Sequence, residues 1–377
     1  MSRTRIGLVF GGRSVEHEVS LVSAKAVLNH LDPSLYEVIP IAVSRQGEWL
    51  TSGDARALLD APAGTLTHTR GAVRAALTAD PSAGGLVPLG SPGRSVPVDV
   101  IFPLIHGTGG EDGSLQGLLE LAGLPYVGSG VLGSSLGMDK AAMKVMFQAA
   151  GLAIAGHLVV SRRRIERDMT GIAKEVDSRI GYPCFTKPSN GGSSVGVCKV
   201  KKPEALAQAL AESATYDRRV LIEEGVEGQE IECAVLGNDD PQASVVGEIV
   251  PCHEFYDYSA KYLDDRSELI IPARISPAQT AQVRAMSVAA FTAVDCAGMA
   301  RVDFFVRRSD GAVLINEVNT IPGFTPISMY PRLWQASGLE FGPLVQRLIE
   351  LALERHEEKR ANRTEFAPTE AHKEEGC

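Results

Sequence analysis

The chain is short of the features that mark nucleic-acid binders, membrane proteins and small secreted scaffolds. Positive charge is in deficit, with 37 Lys and Arg against 46 Asp and Glu, a formal charge of −9. That balance disfavours a footprint on a nucleic-acid backbone or an anionic bilayer and leaves room only for a local basic site. Long apolar runs are missing too. The opening Ile6-Gly-Leu-Val-Phe10 stops at Gly11-Gly12, too short for a signal-peptide core, and no stretch approaches the roughly eighteen apolar residues of a spanning helix. The six cysteines, Cys184, Cys198, Cys233, Cys252, Cys296 and Cys377, are scattered with no C-x-x-C spacing. In a chain too large to need staples they read as free thiols in a reducing compartment. The glycine-rich and serine-rich loop Lys187 to Gly196 is neither a Walker A loop nor a G-x-G-x-x-G fingerprint. What remains is an acidic, cytoplasmic protein whose 377 residues suggest two or three packed domains.

Periodicity supplies the organisation. Ile6 to Phe10 reads as a buried strand running through a glycine turn into a helix over Val19 to Leu31, closed by Asp32-Pro33. Strands over 37–43 and 98–105 follow, so the first domain alternates in the way a parallel sheet requires. Residues 52–97, rich in Ala, Gly, Pro and Thr, read as a peripheral insertion. Beyond Pro125 to Gly130 the pattern gives a helical stretch through Met138-Asp-Lys140 and Lys144 to Ala150, strands over 182–187, 197–200 and 220–223, and a helix from Pro203 to about Ala214. Further strands (230–236, 244–249, 300–306, 312–318), a helix from Pro277 to about Asp295 and one over 342–355 complete it. Residues 356–377 read as a polar, frayed tail. The resulting division is 1–129 (N-terminal α/β unit with the 52–97 insertion), 130–223 (central unit), 224–355 (C-terminal unit, with an irregular segment at 252–268) and the tail.

Several segments carry chemistry. Lys187-Pro-Ser-Asn-Gly-Gly-Ser-Ser-Val-Gly196 follows a strand ending in Lys. Its glycines let backbone N–H groups approach an anion, its hydroxyls add donors and its lysine adds a point charge, as a phosphate-covering loop needs; a solvated hairpin turn is the plain alternative. Period-two alternation places Arg301 with Asp303, and Glu317 with Asn319, on one face of consecutive strands. The oxygen donors Asp303, Glu317 and Asn319 suit Mg²⁺, whereas exposed polar residues on a sheet face need only solvent. Facing Asp303 against Glu317 centres the hairpin on residue 310 and calls for an odd-length loop; a two-residue Asp310-Gly311 turn would oppose Asp303 to Val318. His106, at a strand end before a glycine-rich turn, is either an orienting or acid/base group or a satisfied structural histidine. Glu16 binds an ammonium or complements the helix that follows it. The aromatic stretch Glu254 to Tyr262 reads as a loop that covers a site or as an Ω-loop packed by its own rings.

Together, Gly11-Gly-Arg-Ser-Val-Glu-His-Glu-Val-Ser20, His106-Gly-Thr-Gly-Gly-Glu-Asp-Gly-Ser-Leu-Gln-Gly117, Met138-Asp-Lys140, Lys187 to Gly196, Phe255 to Tyr262, Arg301-Val-Asp303 and Asn316-Glu-Val-Asn-Thr-Ile-Pro-Gly-Phe-Thr325 resemble the D-alanine:D-alanine ligases of the ATP-grasp superfamily. They run in family order from residue 5 to about 355. The resemblance implies an α/β ATP-grasp fold of three domains with ATP held between the second and third. It implies phosphorylation of one D-alanine carboxylate, then attack on the acyl phosphate by the amine of a second. Carried over by position, Glu16 anchors the first ammonium, and Ser193 and Tyr262 join it to the closing loop. His106 lies near the first carboxylate. Lys140, Lys187 and Lys261 meet ATP phosphates, Lys261 also reaching the second carboxylate, and Ser194 and Asn316 belong to the ATP-binding set. Glu223, Val226 and Glu230 hold the adenosine, Arg301 and the Gly323 N–H stabilise the oxyanion, and Ser328 and Met329 grip the second carboxylate. Two Mg²⁺ ions, with Mn²⁺ as a substitute, and a homodimer are implied as well.

Thr186 stands where the family usually has an apolar residue and Asn190 where charge is more usual, and the turn Arg307 to Gly311 is one residue longer than the common pattern. The insertion places the chain in the longer branch, which also contains ligases related to glycopeptide resistance. Competing expectations are a D-alanine:D-lactate ligase, against which Tyr262 argues, and a non-catalytic ATP-grasp protein, against which the joint presence of Arg301, Asp303, Glu317 and Asn319 argues. A biotin-dependent carboxylase subunit shares the ATP-grasp features, but nothing in the remaining length matches it.

Overall fold

The computed structural model describes residues 3–52, 55–60, 71–90, 95–250 and 268–363. β1 (Thr4–Gly11), β2 (Tyr36–Val43), β3 (Trp49–Thr51), β4 (Val73–Leu77), β5 (Gly85–Pro88), β6 (Val96–Pro97) and β7 (Val100–Pro103) form one sheet in the order β6-β5-β4-β3-β2-β1-β7. Among the described strands of this sheet only β2, β1 and β7 pair in parallel. The 52–97 region adds β4 to β6 antiparallel beyond β3, so the sheet is mixed rather than purely parallel. Short hairpin connections cannot make parallel pairs, which need a crossover of a dozen residues or more.

β8 (His157–Ser161), β9 (Cys184–Pro188), β10 (Cys198–Val200) and β11 (Arg219–Glu224) make a second, antiparallel sheet. β12 (Gly228–Gly237), β13 (Gln242–Val250), β14 (Glu268–Ile270), β15 (Gly298–Arg307) and β16 (Val313–Asn319) make a third. The first and third sheets share a core: Ile6, Leu8 and Phe10 of β1 are buried in one cluster with Ala234, Phe324, Leu333, Leu344 and Leu348. This packing joins residues more than 300 positions apart and brings the carboxyl ends of β1 and β7 to the end of β16. The other face of the third sheet packs on helices Lys140–Ala149 and Pro277–Ala293 through Met143, Phe147, Val283 and Phe291.

Local signals explain most boundaries. Helix Pro277–Ala293 starts with Pro at its first position and a full capping box between Ser276 and Gln279. The region 161–179, with no expected structure, holds two short helices capped by Ser161 and Asp168. Helix Met329–Ala336 is not anticipated by the sequence pattern, which Pro331 interrupts; Pro is tolerated there in the first turn, where N–H groups lack intrahelical acceptors. The last helix runs over Phe341–Arg360, further than the expected 342–355. Arg355 and Lys359 hold it to the first unit: Arg355 donates to the Gly128 and Tyr126 carbonyls and Lys359 pairs with Glu120.

Candidate active site

Asp139 separates helices Val131–Met138 and Lys140–Ala149 and caps the second through Ala142 N–H. Its carboxylate also accepts from Ser189 Oγ at 2.8 Å and pairs with Arg219. The Met138-Asp-Lys140 motif is thereby tied to the base of the serine loop. Lys140 extends the link, its N–H donating to Ser189 O at 2.7 Å and its Nζ to Gly191 O at 2.9 Å. Lys140 Nζ lies 3.1 Å from Glu317 Oε2, so one cation spans the serine loop and the third sheet.

Within the loop, Ser193 and Ser194 hold φ of 50° and 58°, a left-handed conformation that costs a non-glycine residue about 1 kcal/mol. Ser193 Oγ is buried and has no hydrogen-bond partner among the described residues. Strain and an orphan hydroxyl at one residue mark a group held for a ligand rather than for the fold. The loop reaches the first unit at Glu16: a Cβ on Gly192 would sit 3.5 Å from Glu16 Oε2, and one on Gly107 only 2.9 Å from it. Glycine at both positions lets two backbones close around one carboxylate. Ser193→Ala should lower the specificity constant for the first amino acid about 10-fold to 10²-fold while leaving the unfolding midpoint unchanged or higher, because it removes a buried unsatisfied hydroxyl. Steady-state kinetics beside urea denaturation check this; a matched loss of both would make Ser193 structural.

β15 and β16 deliver the acidic face. Asp303 lies directly opposite Glu317, the first of the two registers the sequence leaves open, but not through an odd-length loop. Near the turn Phe304 faces Ile315 and Val306 faces Val313, and a bulge between this stretch and Asp303 shifts the register by one. The extra residue is Asn316. A bulge lets two consecutive side chains share one side of a strand, and Asn316 and Glu317 both line the cavity together with Asn319, Arg301 and Asp303. Arg301 grips Asp303 with two bonds of 2.7 and 2.8 Å and lies 3.0 Å from Glu232. Asn319 Nδ2 donates to Asp303 at 2.9 Å. Burial alone would discharge Arg301, but Asp303 and Glu232 outweigh it and hold the guanidinium charge firmly.

Behind this face Glu223, 3% exposed, pairs with both Lys144 and Lys187, the latter at 2.6 Å. Burial alone would raise the Glu223 carboxyl; the two ammonium groups more than offset it and bring it down to about 2. The same carboxylate keeps Lys187 charged against its own burial. Glu223 thus faces the cavity with its oxygens already committed to lysines. His106 is fully paired, Nδ1 to Ile321 O at 3.0 Å and Nε2 to Ser23 Oγ at 3.1 Å. Since a carbonyl can only accept, Nδ1 carries the proton, and burial lowers the ring's affinity for a second one. At the far end Ser328 Oγ accepts from Thr325 N–H at 3.1 Å, and a Cβ on Gly323 would approach that oxygen to 3.0 Å. Met329 begins its helix, so its N–H is one of those without an intrahelical acceptor.

These groups border one cavity of about 1760 Å³. It gathers Glu16, His106, Lys140, Lys187, Ser193, Ser194, Glu223, Val226, Glu230, Arg301, Asp303, Asn316, Glu317, Asn319, Gly323, Ser328 and Met329, every expected site residue except Lys261 and Tyr262, which lie outside the described residues. Sequence reading missed Lys144, Glu232 and Glu111. Lys144 follows Lys140 by one helical turn, a spacing that could have raised it; Glu111 stands inside the His106 to Gly117 motif, which could have raised it too, and Glu232 carried no signal beyond its charge.

A cavity framed by two antiparallel sheets, with a lysine-flanked serine loop on one and an acidic pair on the other, defines a nucleotide-dependent enzyme of the ATP-grasp fold. The comparisons with known proteins agree. Residues 5–129 match the family described as D-ala D-ala ligase N-terminus and residues 146–350 the one described as D-ala D-ala ligase C-terminus. A D-alanine–D-alanine ligase of Ruminiclostridium cellulolyticum is 47% identical over 97% of this chain and 99% of its own; one from Geobacillus thermodenitrificans is 48% identical over 95% and 97%. Among solved structures, the D-alanine-D-alanine ligase of Coxiella burnetii superposes with a TM-score of 0.86 at 37% identity, covering 96% of this chain and 97% of that one. The VanG D-Ala:D-Ser ligase of Enterococcus faecalis superposes with a TM-score of 0.84 at 36% identity, covering 93% and 100%. The chain belongs to the D-alanine–D-alanine ligase family.

The described cysteines, Cys184, Cys198, Cys233 and Cys296, are free thiols. Among the described residues no helix is long and apolar enough to cross a membrane.

Proposed function

We propose that this chain is an ATP-dependent ligase that joins two D-alanine molecules through D-alanyl phosphate, giving D-alanyl-D-alanine, ADP and phosphate for peptidoglycan precursor synthesis. The observation that carries the reading is the single cavity in which a carboxylate for an ammonium, Glu16, faces phosphate-binding lysines, a clamped guanidinium and an acidic pair in opposed register.

Phosphoryl transfer and acyl substitution both build negative charge, and fixed cations and aimed N–H donors lower such barriers. Lys140 and Lys187 hold phosphate oxygens, with Ser194 and Asn316 adding donors; the backbone around Val226 and the Glu230 carboxylate take the adenosine. Glu16 and Ser193 orient the first D-alanine. The second binds its carboxylate at Ser328 and the Met329 N–H, and its amine attacks the acyl carbon. Arg301, immobilised by Asp303 and Glu232, and the Gly323 N–H receive the charge of the tetrahedral intermediate, which collapses with loss of phosphate. Lys261 and Tyr262 complete the site in this reading.

Asp303, Glu317 and Asn319 fit Mg²⁺ by the chemistry of the donor set, hard oxygens on one face of adjacent strands. Bound there, divalent ions would shield the phosphate oxygens. Cytoplasmic location and a homodimer belong to the same reading.

The test is phosphate release with ATP, Mg²⁺ and D-alanine, products identified by mass, with D-serine and D-lactate as competing acceptors. D-alanyl-D-alanine should dominate near neutral pH. A predominant mixed dipeptide or depsipeptide would transfer the protein to another acceptor class, and no turnover with any acceptor would remove the reading.

A further inference from the structure

Glu111 lines the cavity but lies outside the roles above. Its Oε2 accepts from Gly107 N–H at 2.6 Å and its Oε1 from Ile321 N–H at 3.0 Å. The Ile321 carbonyl, in turn, accepts from His106 Nδ1. One residue just after β16 is therefore held at both its N–H and its C=O by two side chains of the loop that follows β7, some 210 residues earlier in the chain. A third tie lies just downstream, where Phe324 N–H approaches Ser23 Oγ at 3.4 Å, the same hydroxyl that meets His106.

Between these ties stand Pro322 and Gly323. Proline's ring fixes one of its two backbone dihedrals, so pinning Ile321 on one side and Phe324 on the other leaves Gly323 little freedom. Among the described residues the Gly323 N–H has no acceptor, and Gly323 borders the cavity. A donor that stabilises a transition state works only if it is aimed before the charge forms.

We propose that Glu111 is a positioning residue for the acyl-transfer step: with His106 it holds Ile321 at both its N–H and its C=O and so sets the aim of the Gly323 N–H into the cavity. This rests on the ligase reading. Burial, reinforced by Glu16, pushes the Glu111 carboxyl up to about 8, against the two backbone N–H groups that favour its charged form.

Glu111→Gln keeps the shape but leaves one acceptor oxygen for two N–H groups. It should lower kcat about 10²-fold, the scale of losing one such donor, with KM for ATP and for the first D-alanine within about threefold. Affinity for a phosphinate dipeptide analogue, which imitates the tetrahedral centre, should fall with kcat while ADP affinity holds, since only the charge-stabilising donor is lost. Glu111→Asp, which keeps the carboxyl and withdraws its oxygens by one methylene, should change in the same direction and decides the matter if the Gln variant does not fold. Turnover within threefold of wild type, or equal losses of analogue and ADP affinity, would overturn the proposal as written. No dipeptide from the wild type would overturn the ligase reading and this inference together, whereas an active wild type with an indifferent Glu111→Gln sinks this inference alone.

Discussion

Glu317→Gln should cut dipeptide-coupled phosphate release by about 10³-fold, a loss near 4 kcal/mol of transition-state stabilisation, with secondary structure and unfolding midpoint close to wild type. The substitution is isosteric, and Glu317 sits on a bulged strand whose neighbours Ile315 and Val318 carry the packing, both essentially buried. What changes is charge. The variant gives Lys140, 3.1 Å from Glu317 Oε2, a neutral partner and halves the carboxylate count of the face shared with Asp303. Hard divalent cations depend on carboxylate charge, so Mn²⁺ binding in the presence of ADP, followed by its spectroscopic signal, should weaken alongside the rate. Wild-type turnover at ordinary Mg²⁺ concentrations would remove the metal role from this face.

Lys144→Met should destabilise the protein by about 1.5–3 kcal/mol, the scale of losing a bond to a buried charged group that keeps its second counter-ion, Lys187. Lys144 is 2% exposed, and its ammonium shares the Glu223 carboxylate with Lys187. Two cations on one buried anion keep that carboxyl near 2, against 4.5 for an unperturbed glutamate. A depressed folded pKa contributes stability that is complete above the unfolded value and is lost as pH falls through the folded one. Wild type therefore loses this contribution only between about pH 4.5 and 2, and in the variant, where one ammonium instead of two holds the carboxyl down, this acid-side loss should be smaller. Urea unfolding at several pH values reads both effects. Lys187 would be left as the sole counter-ion of Glu223, so its hold on phosphate should weaken and KM for ATP rise. An unchanged midpoint would mean that water enters and solvates the carboxylate.

Much of the site is legible in the residue order alone. The glycine-rich and serine-rich turns at strand ends have the backbone freedom and donors that close approach to a ligand needs, and the alternation of Arg301, Asp303, Glu317 and Asn319 puts charge on one face of two strands. Less is legible where the physics is non-local. A bulge is one residue of mismatch in a ladder, and nothing in Asn316 announces it, so an odd-length loop is the natural but mistaken account of why Asp303 opposes Glu317. Lys144 and Glu232 look like ordinary surface charge until the partners that justify their burial are known. Thr186, an oddity in sequence, proves to be fully buried and bonded to Ser213 Oγ at 2.8 Å, and Ser213 donates to Gly196 O at the end of the serine loop.

The sequence by itself determined the alternation of strands and helices, the acidic character of the composition, the identity of the chemical groups and their order along the chain. These follow from short-range rules: period, turn chemistry, capping and residue type. Only the tertiary structure decided which groups share a space. Apolar burial between the first and third sheets drew His106 and Glu111 against a loop more than 200 residues away, and neighbouring charges then set which carboxyls stay ionised. Both depend on distance in three dimensions, which residue order alone does not specify.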